Sequence, residues 1–370
     1  MMQHSKSNKI INKQEGFTLT ELLVGITISV VVSAAAMTAL TTTTKATRVN
    51  DQTAQTQQNA RVAMELLSHD IKMAGYGMTG PVANCPSAIV PADNTVGGPD
   101  TGPDSVSLVI PTVVSPLASA VTAPFGASTT PLPLVSATGF SANSVISIGG
   151  VISATVAAPP SGNNLTLGAI VGAPATFPAA TPVYVLRCVT YQVMQTGGAN
   201  AAAICGANLP CLARGMDAPL VAGKLDCNGV GGATACVSIS EGIEDLQLAY
   251  ACDGCNAGVN GGIADYAVDD QGAINNTFEA TDFVSNNTWT TAPMTADTIR
   301  LVSINIVARE TRVEQGFGER NATLANTTGP VVVLDHNPST PGDAGYSLAT
   351  YQQFRRRLVT RTVEVRNIGL

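Results

Sequence analysis

The stretch from Phe17 to Leu40 constrains this chain more than any other part of its sequence. It is apolar except for a few hydroxyl side chains and a single carboxylate, Glu21. About 20 such residues are enough to cross a bilayer as a helix. A charge in such a helix costs roughly 2.5–3.5 kcal/mol at the bilayer centre and less near an end. The stretch therefore predicts a membrane helix in which Glu21 has a specific role.

A short polar and basic segment, Met1 to Gly16, precedes this stretch and carries Lys6, Lys9 and Lys13. Positive charge on this side keeps the N-terminus cytoplasmic and predicts that the bulk of the chain is exported. The composition of these two segments also fits two simpler interpretations. One is a simple anchor with an incidental Glu, and the other is a secretory signal cleaved near Ala34-Ala35-Ala36.

The junction between the two segments reads Gly16, Phe17, Thr18, Leu19, Thr20, Glu21, Leu22. It resembles the class III leader of type IV prepilins and type II secretion pseudopilins. The resemblance implies that prepilin peptidase cuts after Gly16, that the new amino group of Phe17 is N-methylated, and that Glu21 helps to place the subunit in a filament. A buried carboxylate needs a partner, and the amine of a neighbouring Phe17 would supply it, while Leu22 to Leu40 packs in the filament core.

The helical pattern continues beyond the apolar stretch. Residues 41–74 contain neither Pro nor Gly, and one face repeats at helical spacing through Ala60, Ala63, Met64, Leu67, Ile71 and Ala74. Gly75-Tyr76-Gly77 is a plausible end. We expect one helix of about 60 residues, roughly 85–90 Å long, with a transmembrane half (17–44) and an amphipathic half (45–75).

The remainder, residues 76–370, has the composition of an exported β-rich domain. Only 12% of the chain is charged and 4% is aromatic, with 35 Gly and 21 Pro, and small, β-branched and turn-forming residues dominate. The net charge of −7 argues against a nucleic-acid partner. The predicted fold class is α+β, with a long N-terminal pilin helix packed on an antiparallel β-sheet domain that carries a β-rich insert.

The expected insert is the uncharged segment 105–186, which contains no Asp, Glu, Lys or Arg. Its short apolar runs are separated by Pro, Gly or Asn, which indicates strands and turns, with a small barrel or sandwich around 130–186 and a hairpin connection at 161–164. Structural filler is the favoured interpretation. Later strands are predicted by alternating patterns at 183–193, 298–310 and 358–367, and at Leu246, Leu248 and Tyr250.

Eight cysteines follow the membrane segment, an even number that favours disulfides in an exported domain. Connectivity cannot be deduced from sequence, but short loops favour Cys205–Cys211, Cys227–Cys236 and Cys252–Cys255, which leaves Cys85–Cys188. The Cys-rich loops span about 205–255. Cys252-Asp253-Gly254-Cys255 also fits half a zinc site or a redox pair, although a structural disulfide is the favoured interpretation.

Three further motifs resemble the PilW-type minor pilins. They are Ala74-Gly75-Tyr76 after the helix, the run from Glu241 to Leu248 followed by Ala249-Tyr250, and the Arg-rich segment and strand from Phe354 to Asn367. J-type pseudopilins share part of this architecture. The resemblance is vague across the uncharged insert and the Cys-rich loops.

No catalytic constellation or cofactor motif is recognisable, and the three His are too few to build one, so the chain is not predicted to be an enzyme. Glu241, Glu244 and Asp245, at the start of a predicted strand, are interpreted as a solvated face or turn in preference to a general acid pair. Arg355 to Arg357 form either a solvated edge or a contact with an acidic subunit or anionic lipid. In the 253–276 loop, Asp253, Asp265 and Asp269 are weak calcium candidates, although Asx-rich turns have the same composition.

The predicted function is a minor pilin that takes part in type IV pilus assembly, priming or capping the filament, with adhesion as an added role. The implied partners are prepilin peptidase, other minor pilins, the major pilin, the assembly platform and the bacterial inner membrane. The C-terminal domain would be exported and then reach the pilus. The alternatives are a type II secretion pseudopilin and a membrane-anchored exported adhesin or binding module.

Overall fold

The computed structural model describes residues 16–95, 98–122, 131–171, 176–195, 204–206, 209–217, 220–221, 224–225, 236–268, 271, 278–311, 330–343 and 346–368. The leader before Gly16 lies outside the described residues. Two compact units are distinguished, Met1–Asp51 and Gln52–Leu370.

A single helix, α1 (Leu19–Met73), runs for 55 residues without interruption, which confirms the predicted long helix. It ends because Gly75 adopts a positive φ of 80°, a conformation that glycine reaches without strain. A side chain at Gly75 would also collide with the backbone oxygen of Asn367, 2.9 Å from the position of its Cβ. The glycine therefore both stops the helix and admits the C-terminal segment.

The first unit contains the apolar part of α1, and its side chains are exposed. Most of its hydroxyl groups bond back to carbonyls one turn earlier in the same helix, as Ser29 does to Gly25 and Thr38 does to Ala34. Such bonds satisfy the hydroxyls without any outside partner, which lowers the cost of placing them in lipid. Within the described residues, α1 is the one helix long and apolar enough to cross a membrane.

The second unit contains the amphipathic part of α1, a short helix α2 (Leu348–Tyr351), and helical turns at Ala280–Asp282, Ala296–Thr298 and Pro338–Gly342. Its strands, among the described residues, are β1 (Ile89–Ala92), β2 (Ser105–Pro116), β3 (Val121–Thr122), β4 (Leu132–Pro133), β5 (Val145–Ile148), β6 (Ile152–Val156), β7 (Asn164–Leu165), β8 (Leu167–Val171), β9 (Thr176–Phe177), β10 (Pro182–Met194), β11 (Cys211–Met216), β12 (Leu220–Val221), β13 (Lys224–Leu225), β14 (Cys236–Glu241), β15 (Ile243–Cys252), β16 (Thr290–Thr291), β17 (Met294–Thr295), β18 (Ile299–Arg309) and β19 (Arg356–Glu364).

These strands form two principal antiparallel sheets. The larger follows the order β1-β2-β10-β5-β6-β8, with β11 pairing β10 and β14 pairing β11. The smaller has the order β15-β18-β19. Strand β10 is long enough to pair with β5 through its first half and with β11 through its second. The antiparallel architecture expected from the sequence is confirmed.

The main core lies between the amphipathic face of α1 and both sheets. All six periodic helix residues belong to this core, and Leu67 and Ile71 are completely buried. The alternating side chains of β15 and β18, including Leu246 and Ile304, pack in the same cluster. Each large apolar side chain buried in this way contributes about 1.5–3 kcal/mol, so the helix and the sheets stabilise one another.

The uncharged segment builds a second core of its own. Ile146, Ile148 and Ile152 pack there against Val183 and Val185 of β10. In the described residues, however, β5, β6 and β8 continue the larger sheet beyond β10 and do not close into a separate barrel. Of the two forms expected for the insert, a barrel or a sandwich, the barrel is therefore wrong for the described residues, because the long strand β10 carries both halves of one sheet. The β-rich insert with a core of its own is confirmed.

Candidate functional site

The first candidate site is the start of α1, where Thr18 and Glu21 form a reciprocal pair. The amide of Glu21 donates to Thr18 Oγ1 at 3.3 Å, and the Thr18 amide and hydroxyl both donate to Glu21 Oε2 at 3.0 Å. This is a capping box, which satisfies amide groups that the first helical turn leaves without partners. We did not predict it, although its signal, Thr-x-x-Glu before an apolar run, is present in the sequence.

The capping box leaves this end of the helix accessible. Both bonds to Glu21 are accepted by Oε2, and the residue is exposed. Phe17 is 89% exposed and lies along the same side of the helix as Glu21 and Gly25. The three predicted site residues, Gly16, Phe17 and Glu21, are thus adjacent and accessible, and their processing and assembly roles stay predictions.

The cysteines are joined in the described part of the chain as Cys85–Cys188, Cys205–Cys211 and Cys252–Cys255. Cys236 is also disulfide-bonded, while its expected partner, Cys227, lies outside the described residues. The bonded pair Cys252–Cys255 is 1% and 2% exposed. Oxidised and buried sulfurs offer no thiolate to zinc, which supports the structural interpretation of the CxxC.

A second candidate site is a cleft of about 160 Å³ at one end of β15. At its base His336 is 1% exposed and lies between two carboxylates, with Nδ1 2.7 Å from Asp245 and Nε2 2.7 Å from Asp343. Burial by itself would lower the pKa of His336, but these two hydrogen-bonded carboxylates outweigh it and raise the pKa to about 10. The interpretation of Asp245 as part of a solvated face is wrong, because it is 4% exposed.

The same cleft contains a paired Glu and Arg. Arg356 donates from Nε and Nη2 to the two carboxylate oxygens of Glu244, with Nη2 at 2.8 Å, and its guanidinium stacks on Tyr351. The bidentate geometry makes this a strong charge-assisted pair. Neither Glu244 nor Arg356 is a free solvated residue, so that part of the sequence interpretation is corrected. Sequence could not reveal the pair because its members are 112 positions apart.

The arrangement in the cleft holds segments of the chain together. Both ring nitrogens of His336 are engaged by carboxylates, so the ring keeps both protons at neutral pH and cannot accept another. His336 and Arg356 instead attach the segments around 330–343 and 351–356 to β15. The cleft thus fixes the C-terminal part of the fold on the smaller sheet.

We expect the stabilisation that the charged His336 provides to fall as the pH rises from about 7 to 10. The folded-state pKa is raised to about 10, above the unfolded value of about 6.5, so the stabilisation is fully present below about 6.5 and is lost through pH 10. The difference in melting temperature between the wild type and His336→Ala should shrink steadily over this range. A difference that stays constant from pH 7 to 10 would contradict a charged His336.

A third site is a cluster of acids in the connection between β1 and β2, of which Asp100 and Asp104 are buried and Asp93 is half-buried. Asp93, Asp100 and Asp104 each place an oxygen within 4.8 Å of the other two. Burial and then the negative charge of Asp100 raise the pKa of Asp93 to about 7, and burial is also the main cause of the raised pKa of Asp104. The cluster was not predicted from the sequence, because Asp93, Asp100 and Asp104 match no recognised metal-binding spacing.

The loop that was expected to offer calcium ligands uses its carboxylates internally. Asp253 accepts the amides of Asp265 and Tyr266 at 2.9 and 3.2 Å and lies 3.7 Å from Arg300. The Asp265 carboxylate accepts the Ala267 amide at 3.0 Å, as in an Asx turn. The third candidate, Asp269, lies outside the described residues.

Two family models match the chain. The first, type IV pilus-assembly protein W (PilW), matches residues 212–367 and includes β15, β18, β19 and the His336 cleft. The second, the prokaryotic N-terminal methylation motif, matches residues 11–37 and includes Gly16, Phe17 and Glu21. The acidic cluster at 93–104 lies outside both matches. No curated protein and no solved structure matches the chain at a significant level.

Proposed function

We propose that this chain, which is a PilW-type pilin with a prepilin-type N-terminus, enters the type IV pilus as a minor subunit and helps to prime or cap the filament. The observation that carries the proposal is the N-terminal arrangement, where a processing motif, an accessible carboxylate and an exposed apolar helix occur together. In this function the protein assembles with other subunits and catalyses no reaction.

Processing is the first step of this function. Prepilin peptidase would cleave between Gly16 and Phe17 and methylate the new amine. The apolar part of α1 then anchors the subunit in the membrane by a single span, which we place in the inner membrane with the rest of the chain exported. The disulfides support export, because such bonds form in oxidising compartments.

Glu21 would direct the subunit into the filament through its charge. Its carboxylate is fixed by Thr18 on the same side of the helix as Phe17, so it is pre-positioned for a positively charged N-terminal amine of a neighbouring subunit. A carboxylate inside an apolar filament core needs such a partner, because an isolated buried charge is costly. The pairing would set the position of one subunit along the next.

The apolar surface of α1 supports burial against other helices. Gly25 lies on the Glu21 side, and a Cβ at this position would meet no atom of the chain within 4 Å. A glycine inside a helix costs about 1 kcal/mol relative to alanine, and small residues allow close approach between membrane helices. Adhesion by the uncharged insert stays a prediction.

The charge of Glu21 can be separated from its capping role. Glutamine serves as well as glutamate in a capping box, so Glu21→Gln should keep the helix start but lose the intersubunit attraction. In the host cell we expect this variant to be cleaved and methylated at Phe17, as read by N-terminal mass spectrometry, while its amount in sheared filaments falls about tenfold or more, which corresponds to a coupling of about 1.4 kcal/mol.

The matched control is Thr18→Ala, which breaks the capping box and keeps the carboxylate. It should be processed normally and lose less incorporation than Glu21→Gln, because the charge remains although its positioning by Thr18 is lost. Equal incorporation of Glu21→Gln and wild type would restrict Glu21 to helix capping and contradict the assembly role. A mature N-terminus at Met1 or just after Ala36 would contradict processing as a prepilin, and presence only in a type II secretion pseudopilus would favour the pseudopilin alternative.

A further inference from the structure

The connection between β1 and β2 holds carboxylates whose hydrogen bonds within the described residues are incomplete. Asp100 is completely buried; its Oδ1 accepts the Thr95 amide at 2.8 Å, and its Oδ2 accepts no hydrogen bond from the described part of the chain. Asp93 is half-buried, and both of its carboxylate oxygens are inaccessible and lie beside the Asp100 carboxylate and the Thr95 backbone without a well-formed hydrogen bond to a described residue. Buried polar atoms in native proteins are almost always satisfied, so these oxygens point to a missing ligand.

Asp335 adds a fourth carboxylate from a distant part of the chain. Its backbone oxygen accepts the Asp100 amide at 3.2 Å, and its charge acts on both Asp93 and Asp100. Both of its side-chain oxygens are buried and accept no hydrogen bond from a residue that the structure describes. Within the described residues, Asp93, Asp100 and Asp335 together contribute five buried carboxylate oxygens that lack a well-formed hydrogen bond.

No Lys, Arg or His of the described residues forms an ion pair with these carboxylates. Among the residues that the structure describes, the ion pairs involve other acids, and none includes Asp93, Asp100, Asp104 or Asp335. Several buried carboxylates without a counter-charge either share protons or bind a cation. The close grouping of the oxygens favours a cation.

The oxygens are held in place by the backbone, as a metal site requires. Asp104 accepts the Asn94 amide at 3.1 Å through Oδ1 and the Leu248 amide at 2.8 Å through Oδ2, while its own amide donates to Leu246 at 2.9 Å. One oxygen each of Asp93, Asp100 and Asp104 lies within 4.8 Å of the others. This is the largest separation that two ligands of one ion can have at a Ca²⁺–O distance of about 2.4 Å.

We propose that Asp93, Asp100 and Asp104, with Asp335 beside them, form a Ca²⁺ site that fastens the β1–β2 connection to β15 and to segment 330–343. Carboxylate oxygens are the ligands that Ca²⁺ prefers, and Ca²⁺ tolerates irregular coordination, whereas Mg²⁺ requires a near-ideal octahedron and retains water. The described cluster contains neither Cys nor His, which Zn²⁺ favours.

Binding would join parts of the exported domain that are far apart in sequence. The β1–β2 connection belongs to the larger sheet, Leu248 lies in the smaller sheet, and Asp335 directly precedes His336 in the C-terminal cleft. A cation at this position would offset the repulsion between the carboxylates, because each of them would be attracted to it. The folded domain would then depend on Ca²⁺ in the compartment where it works.

The test uses the full-length chain in detergent, stripped with a chelator and titrated with CaCl₂ alone. We expect one equivalent to bind by calorimetry and the melting temperature to rise by about 5 °C or more at saturation. Asp100→Asn should raise the dissociation constant about 100-fold or more. Because it removes a repelling charge and its amide oxygen still accepts the Thr95 amide, the metal-free variant should be at least as stable as the metal-free wild type.

Two controls make the assignment specific. Asp265→Asn removes a carboxylate from the later loop and should leave the Ca²⁺ response unchanged, and MgCl₂ should bind at least tenfold more weakly. The proposal is overturned if Ca²⁺ neither binds nor stabilises the wild type, which would mean that the acids share protons. It is also overturned if Asp265→Asn, and not Asp100→Asn or Asp93→Asn, abolishes the response.

Discussion

Replacing Asp70 with alanine is expected to destabilise the β-rich unit by about 3–5 kcal/mol. Asp70 is 4% exposed on the inner face of α1, where it accepts the Tyr191 hydroxyl at 2.6 Å and Arg214 Nε and Nη2 at 3.2 and 3.1 Å. Removing the carboxylate leaves the largely buried Arg214 guanidinium without its counter-charge, with only Tyr191 Oη at 3.1 Å still accepting from Nε, and leaves the buried Tyr191 hydroxyl without an acceptor. Burial and the charge of Asp70 both raise the pKa of Tyr191, so its hydroxyl remains a donor.

The measurement is chemical denaturation of the full-length protein in detergent, with the midpoint and slope recorded for each variant. Glu65→Ala is the matched control, because Glu65 lies on the same helix but is exposed, and it should change stability by less than about 0.5 kcal/mol. Asp70→Asn should retain an acceptor for Tyr191 but lose the charge that pairs with Arg214, giving an intermediate cost. A loss below about 1 kcal/mol for Asp70→Ala would show that the network is not a stabilising contact.

Removing the Cys85–Cys188 disulfide should have a comparable effect. The bond connects residues 103 positions apart, and closing a loop of that length restricts the unfolded chain by about 4.7 kcal/mol at 25 °C in the chain-entropy model. The double variant Cys85→Ala, Cys188→Ala should lose most of this stability. Alanine is preferable to serine because both positions are buried, 0% and 3% exposed, and a hydroxyl there would need a new hydrogen bond.

The Cys205–Cys211 bond provides the internal comparison, since its ends are only 6 positions apart. The same relation assigns it about 2.2 kcal/mol, so its removal should cost about half as much. Unfolding of the two double-alanine variants in parallel tests the ratio as well as the absolute values. If the short-loop variant proved the less stable of the two, loop entropy would not be the dominant contribution of these bonds.

The elements with strong local patterns were predicted well from the sequence. The apolar stretch and the face through Ala60, Leu67 and Ile71 predicted α1, because the buried side chains of a helix recur every 3.6 residues. The alternation in β15 and β18 predicted their core faces, because successive side chains of a strand point to opposite faces. The processing motif at Gly16 and Phe17 was recognisable because it is a short contiguous signal. The capping box of Thr18 and Glu21 has an equally short signal, although we did not predict it.

What the sequence determined by itself was therefore the local and periodic information: the membrane helix, its amphipathic continuation, the strand faces and the N-terminal processing motif. Only the tertiary structure decided which acids are buried and what they meet. Asp70 reaches Tyr191 across 121 positions, and Asp245 reaches His336 across 91. Such pairs depend on strand order and register. These are determined by the packing of the whole core and not by any short segment, so no local pattern distinguishes a buried Asp from a solvated one.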